Sequence, residues 1–374
     1  MRLTDRWRRK SKIEADVDAR IAEVETQSGE ATSEKDCTIE SVWPLMRQAF
    51  YKRKNEVEPL RKSMADFRGK KGYFLSGGKI IRQFNFTDKS ISDDTQDIAE
   101  REIDDDVRES KEPIKVQYRR ERQKLQADVI EAVMFDMAKH IFGPDAEIVI
   151  PNIFDDRQNS LDLLVLFRDT QGTVEQVLGL DFTSASEQIY VDKKVIQALR
   201  SVIRGKLSTA KYIAAKNPQG GAEYFSANGI ARAIIGISAA SALLMAKGWL
   251  SAGKGNVPDL LGPERRKAML YAVLEQYRAQ LIISREKDRS EGLTQPTLAT
   301  LELQREYDRI IEILYSTGLS EDTVRQKTDR TFNRIRETVR SIRRVREELY
   351  PRAVQIQSEL NEKFAREQSG KRRL

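Results

Sequence analysis

The chain holds one cysteine, Cys37, and one histidine, His140, among 374 residues. A lone cysteine closes no internal disulfide, so a reducing cytoplasm is the expected setting. One nitrogen and one sulfur ligand also exclude a zinc site built from histidine and cysteine. Any metal must then be held by oxygen, as magnesium, manganese and calcium are. His140 itself, shortly before Gly143-Pro144, reads as a helix-end residue. Long apolar runs are missing too. The most apolar window, Ile230 to Leu250, is broken by Arg232, Gly236, Lys247 and Gly248, which points to a buried strand and helix and to no membrane contact. The basic start MRLTDRWRRKSK leads into no apolar core of a signal peptide. No Gly-rich phosphate loop, serine-nucleophile motif or internal repeat occurs.

Charge, by contrast, is abundant. Charged residues make up 33% and apolar ones 39% of the chain, with a mean hydropathy of −0.58. That is more charge than one compact domain usually carries, and it implies long solvated helices. A net charge of +7 favours a polyanionic partner such as DNA, although acidic and basic residues are closely intermingled.

The most informative stretch is Leu161 to Thr183, LDLLVLFRDTQGTVEQVLGLDFT. It reads as two apolar strands, Leu161 to Arg168 and Val174 to Thr183, joined by the turn Asp169-Thr170-Gln171-Gly172. Each strand carries one aspartate in an apolar run. Folding the hairpin about Gln171/Gly172 sets Asp162 nearly opposite Asp181. Two carboxylates on one face of a buried sheet repel each other and need a cation between them or a raised pKa. The alternative is that one of them sits at a strand end in water.

Around this hairpin the pattern is helix, strand, hairpin, helix, strand, helix. Pro113 suits the first turn of a helix ending at Phe142, and its apolar stripe Ala127, Ile130, Met134, Ala138, Ile141 contains Glu131. That glutamate wants a partner, which an arginine or lysine would also satisfy. Glu147 to Phe154 is an expected strand, Asp192 to Ala215 a helix, Ala231 to Ile237 a strand and Ala239 to Leu250 a helix. A strand reached through a helical crossover implies a mixed sheet with helices on its faces. Before this core, residues 1–110 give a helix at Leu3 to Val24, another at Ser41 to Phe67 interrupted at Pro59, a hairpin at Tyr73 to Phe86 turning at Gly77-Gly78, and an acidic linker or solvated helix at Thr87 to Glu109. The core is expected over 111–290. Residues 291–374 complete the chain as a helical hairpin or coiled coil, with Ile335, Val339, Ile342, Leu349, Ile356 and Leu360 at heptad-like spacing and arginines such as Arg340 and Arg344 on its surface.

The element order with Glu131, Asp162 and Asp181-Phe182-Thr183 resembles the restriction-endonuclease-like, PD-(D/E)xK nuclease superfamily over about residues 124–250. The resemblance implies a mixed α/β core, and the residues outside it read as long helical extensions at both ends. It makes Asp162 the first motif aspartate, Asp181 the second acidic position and Glu131 the helical glutamate, as ligand or water-positioning base. In the family these residues hold magnesium or manganese, which activates water on a phosphodiester. Two departures stand out. Leu161 replaces the proline before Asp162, and Thr183 occupies the usual lysine position. Some relatives supply that cation from the following helix, where Lys194 is the first choice and Lys193 and Lys206 the others. The expected function is therefore metal-dependent cleavage of DNA. The alternative is a catalytically inactive scaffold or coiled-coil protein that binds nucleic acid or a protein partner, a second copy of the chain included.

Overall fold

The computed structural model describes residues 39–183, 194–252 and 262–316, apart from 196, 200, 203 and 238. The expected helix at Leu3 to Val24, Lys193 and the arginine-rich final segment lie outside these residues.

Helix α1 (Ile39–Glu56) gives way to two short 3-10 turns, Glu58–Leu60 and Met64–Phe67, because Pro59 has no amide to continue the helical ladder. The expected hairpin forms as β1 (Lys71–Ser76) and β2 (Lys79–Asn85). Its turn residues Gly77 and Gly78 both have positive φ, 59° and 70°, the geometry that two-residue hairpin loops require. The acidic stretch is a helix, α2 (Asp88–Glu109), capped by the Thr87 hydroxyl, which accepts from the Ser90 amide. Helix α3 (Ile114–Phe142) follows.

One four-stranded mixed sheet has the order β3 (Glu147–Val149), β4 (Leu163–Arg168), β5 (Val174–Thr183), β8 (Arg232–Gly236). The first three strands are antiparallel neighbours, and β8 runs parallel to β5. The helical stretch α5 (194–202) lies between β5 and β8 in sequence. Alternate residues Leu163, Val165, Phe167, Leu178, Leu180 and Phe182 of this sheet face α3, α6 (Ala239–Ser251) and α7 (Gly262–Ser290). Trp249, fully buried there, donates its indole N–H to Asp136 at 2.5 Å. Burying a side chain of that size contributes about 2 to 3 kcal/mol.

Three elements depart from the sequence reading. Strand β3 stops at Val149, because Pro151 cannot donate to a ladder and Asn152 instead caps a helix, α4 (Ile153–Asn159), accepting from the Phe154 amide at 3.0 Å. The helix expected over Asp192 to Ala215 ends near Val202. Gly205, at φ 67°, closes it: the Gly205 amide donates to Val202 O and the Lys206 amide to Ser201 O, both at 2.8 Å. Residues beyond become β6 (Ser208–Lys216), which forms an antiparallel pair with β7 (Ala222–Ile230).

That pair joins the N-terminal hairpin in a second four-stranded mixed sheet, β2-β1-β7-β6. Leu75, Ile213, Phe225, Ala227 and Ile230 from it pack on Leu164, Leu166, Val174 and Val177, so the two sheets share a core. Ala231, between β7 and β8, is where the chain changes sheets. Its amide donates to Glu306 at 3.2 Å and its carbonyl accepts from the Gly179 amide. Glu306 sits on α8 (Leu298–Ser316), which packs back on α7. Among the described residues no helix is long and apolar enough to cross a membrane.

Candidate functional site

Strands β4 and β5 pair in the register Leu163↔Leu180 and Leu166↔Val177. One step beyond that ladder, the Asp162 amide donates to Leu180 O at 2.9 Å and the Phe182 amide donates to Asp162 Oδ2 at 2.6 Å. Asp162 is therefore fastened to the backbone on both sides of Asp181. A tight exit from α4 brings it there: Ser160 takes a left-handed conformation, φ 51°, and its amide caps Asp156 O at 2.9 Å. A non-glycine residue in that region stores about 1 kcal/mol of strain.

Asp181 is buried and lies between two cations. The Lys194 ammonium, on the first described turn of α5, stands 2.5 Å from Oδ1, and Arg232 Nη1 stands 3.9 Å from Oδ2. Oδ2 accepts no hydrogen bond. The Lys194 side chain is 38% exposed against 2% for Asp181. Burial tends to lower the Lys194 pKa, but Asp181 and Asp162 more than offset it and leave it raised. Asp162 is pushed well above the ordinary carboxylate range, first by burial and then by the Asp181 charge, while Lys194 pulls it back. Asp156 and Glu131 act on it in the same direction as Asp181. Glu131, Asp162, Asp181 and Lys194 thus belong to one electrostatic cluster.

Glu131 is fully partnered within it. Arg61 Nη2 lies 2.5 Å from Oε1 and Arg53 Nη2 lies 3.3 Å from Oε2. Burial nonetheless pushes the Glu131 carboxyl up to about 7, against the pull of both guanidinium groups. Arg61 also reaches Asp156 Oδ2 at 3.4 Å, and Asp156 is raised by burial, with Asp181 adding to the rise.

Sequence reasoning missed Arg53, Arg61, Asp156 and Arg232. The signal for Asp156 was Asn152, a helix cap followed by Asp155-Asp156, which places acids on the first turn. The other acid of that turn, Asp155, is structural: it accepts from the amides of Lys211 and Tyr212, at 2.7 and 2.9 Å, where β6 breaks its register with β7. Lys206 is exposed, and among the described residues it makes no ion pair with either site aspartate.

The ligating atoms that Asp162 and Asp181 offer are oxygens alone, and Asp181 Oδ2, which accepts no hydrogen bond, is the kind of atom a hard cation takes. Among the described residues no three His, Cys, Asp or Glu side chains converge on one ion position. A cation here would rest on the two aspartates and keep water or substrate oxygens in its remaining positions, as magnesium does. Compared with protein-family models, curated proteins and solved structures, the chain gives no match in any of the three.

Proposed function

We propose that the chain is a divalent-metal-dependent nuclease that hydrolyses phosphodiester bonds of DNA on a PD-(D/E)xK-like core. The observation that carries this reading is the placement of Lys194 at 2.5 Å from Asp181, with the Asp162 carboxyl bonded to the next amide along the strand. It supplies from the following helix the cation that Thr183 does not. The sheet order β3-β4-β5-β8, with β8 parallel to β5 and α5 between those two strands in sequence together with β6 and β7, supports the same reading.

Asp162 and Asp181 are the residues that would hold magnesium or manganese, which supplies a Lewis acid and lowers the pKa of a bound water. Lys194 neutralises charge developing on the phosphoryl oxygens from a position already fixed by Asp181, so little reorganisation is needed as the reaction proceeds. Asp162 must give up its proton before it ligates, and the Lys194 charge makes that loss easier. Glu131, bonded to Arg53 and Arg61, acts as a positioning residue. It holds Arg61 against Asp156 at the edge of the site.

The test is nicking of supercoiled plasmid in magnesium or manganese. Wild-type protein should nick it. Asp181→Ala should not, while keeping its circular dichroism spectrum. A wild-type protein inert on a broad range of DNA and RNA substrates would leave the inactive scaffold or interaction protein as the better description.

A further inference from the structure

Arg232 has a second side. The residue is almost wholly buried, and its guanidinium is under-compensated: Nη1 reaches Asn159 O at 3.3 Å, the Asp181 carboxylate is a long 3.9 Å away, and Nε has no hydrogen-bond partner. A guanidinium carries five donors and loses much of its hydration on burial, so this arrangement favours a further anion nearby.

Arg232 also lines a cavity of about 270 Å³ between the end of α4 and the turn that closes α5. The lining includes Ser160, Gln197, Ser201, Lys206 and Gln280, and it contains two cations and no carboxylate. The contrast with the neighbouring cluster of Glu131, Asp156, Asp162 and Asp181 is sharp. Lys206 stands on the rim, exposed, where the closing turn after Gly205 fixes its backbone. No acidic side chain among the described residues pairs with it. Hydroxyl and amide groups line the cavity beside the two cations, a composition that suits phosphate oxygens and offers a metal no anionic ligand.

We infer that this cavity is a phosphate subsite, and that it seats a phosphate of the nucleic-acid strand adjacent to the one presented to Asp162 and Asp181. Arg232 links the two places, since its Nη1 lies 3.9 Å from Asp181 and the residue also lines the cavity. Lys206 closes over the phosphate from the rim. The inference rests on the nuclease reading, since it takes the ligand to be the same strand. It adds a register: with one phosphate seated beside Arg232, its neighbour along the strand is delivered to the aspartates.

The experiment measures binding without cleavage. Fluorescently labelled DNA oligonucleotides, each with one phosphate replaced by a neutral methylphosphonate, are titrated with protein in EDTA and followed by anisotropy. For the wild-type protein, neutralising one particular phosphate should lower affinity more than neutralising its neighbours. Lys206→Ala should weaken binding to unmodified DNA, reduce the slope of log K against log salt by about 0.9, and be less sensitive than wild type to the methylphosphonate at that one position. Lys206→Arg should restore the wild-type pattern. Lys79→Ala, an exposed change on β2 away from the cavity, should leave the pattern unchanged. Equal sensitivity of wild type and Lys206→Ala at every position, in a protein that cleaves plasmid, would overturn the subsite and leave the nuclease reading standing. A wild-type protein that neither binds nor cleaves DNA would overturn both.

Discussion

The Lys194 ammonium reaches Asp181 Oδ1 at 2.5 Å from the helix that follows β5, thirteen residues further along the chain. A lysine on the strand itself would stand at position 183, where the side chain is a threonine. In the proposed nuclease the cation comes from the helix instead and stands beside the same carboxylate. Lys194→Ala should lower cleavage at least about a hundredfold, the scale for removing one well-placed electrostatic group. Wild-type rates in that variant would take Lys194 out of the chemistry.

The reach of Lys194 was legible because two local patterns agreed. Alternation and the Gly172 turn gave the register that sets Asp162 beside Asp181, and a helix starting soon after Thr183 can point a long side chain back. The β1–β2 hairpin and the sheet-and-helix reading of Ile230 to Leu250 came from equally local signals. What failed was non-local. Arg53 and Arg61 reach Glu131 across 78 and 70 positions, and nothing near either arginine in sequence marks that contact. The second sheet was hidden because the apolar residues of 192–215 fit a helical stripe. The competing signal was one glycine, Gly205, whose positive φ ends the helix and frees Ser208–Lys216 for a strand.

Asp162 makes stability depend on pH in a stated direction. Its folded pKa lies well above the ordinary value of 3.8, through burial and the Asp181 charge. A carboxyl raised in the fold stabilises it while protonated, so the contribution is present below about 3.8 and is lost as pH rises through the folded value. Glu131, pushed up to about 7, adds a loss of the same sign. In EDTA, Asp162→Asn should therefore have a higher urea midpoint than wild type at pH 8 and an equal one near pH 3. Manganese should reverse the order at pH 8, since only wild type gains ligand-linked stability. An unchanged midpoint at pH 8 in EDTA would contradict the raised pKa.

Arg61→Ala tests the arginine clamp. The change leaves Glu131 with Arg53 alone in a buried setting and should lower unfolding free energy by about 3 kcal/mol, the low end for breaking a buried pair. Adding Glu131→Gln to Arg61→Ala should recover part of that loss, because the uncompensated charge is gone. A cost for Arg61→Ala within about 0.5 kcal/mol of zero, the range of ordinary surface changes, would mean that the clamp contributes little.

Gly229 tests how α8 is docked. Its φ is +79°, and a Cβ there would run into the Glu302 carboxylate, which accepts from the Gly77 amide at 2.5 Å. Gly229→Ala should cost more than about 1 kcal/mol in urea unfolding. A neutral substitution would show that Glu302 moves aside and that α8 is held by its contacts with α7 instead.

A crystal of the protein soaked in manganese shows whether the two aspartates hold a metal. An anomalous manganese peak is expected within roughly 2.0 to 2.6 Å of carboxylate oxygens from both Asp162 and Asp181, absent from Asp181→Asn crystals. A saturating soak with no peak between the two aspartates, in crystals where the Asp162 and Lys194 side chains are well ordered, would contradict the proposed metal site.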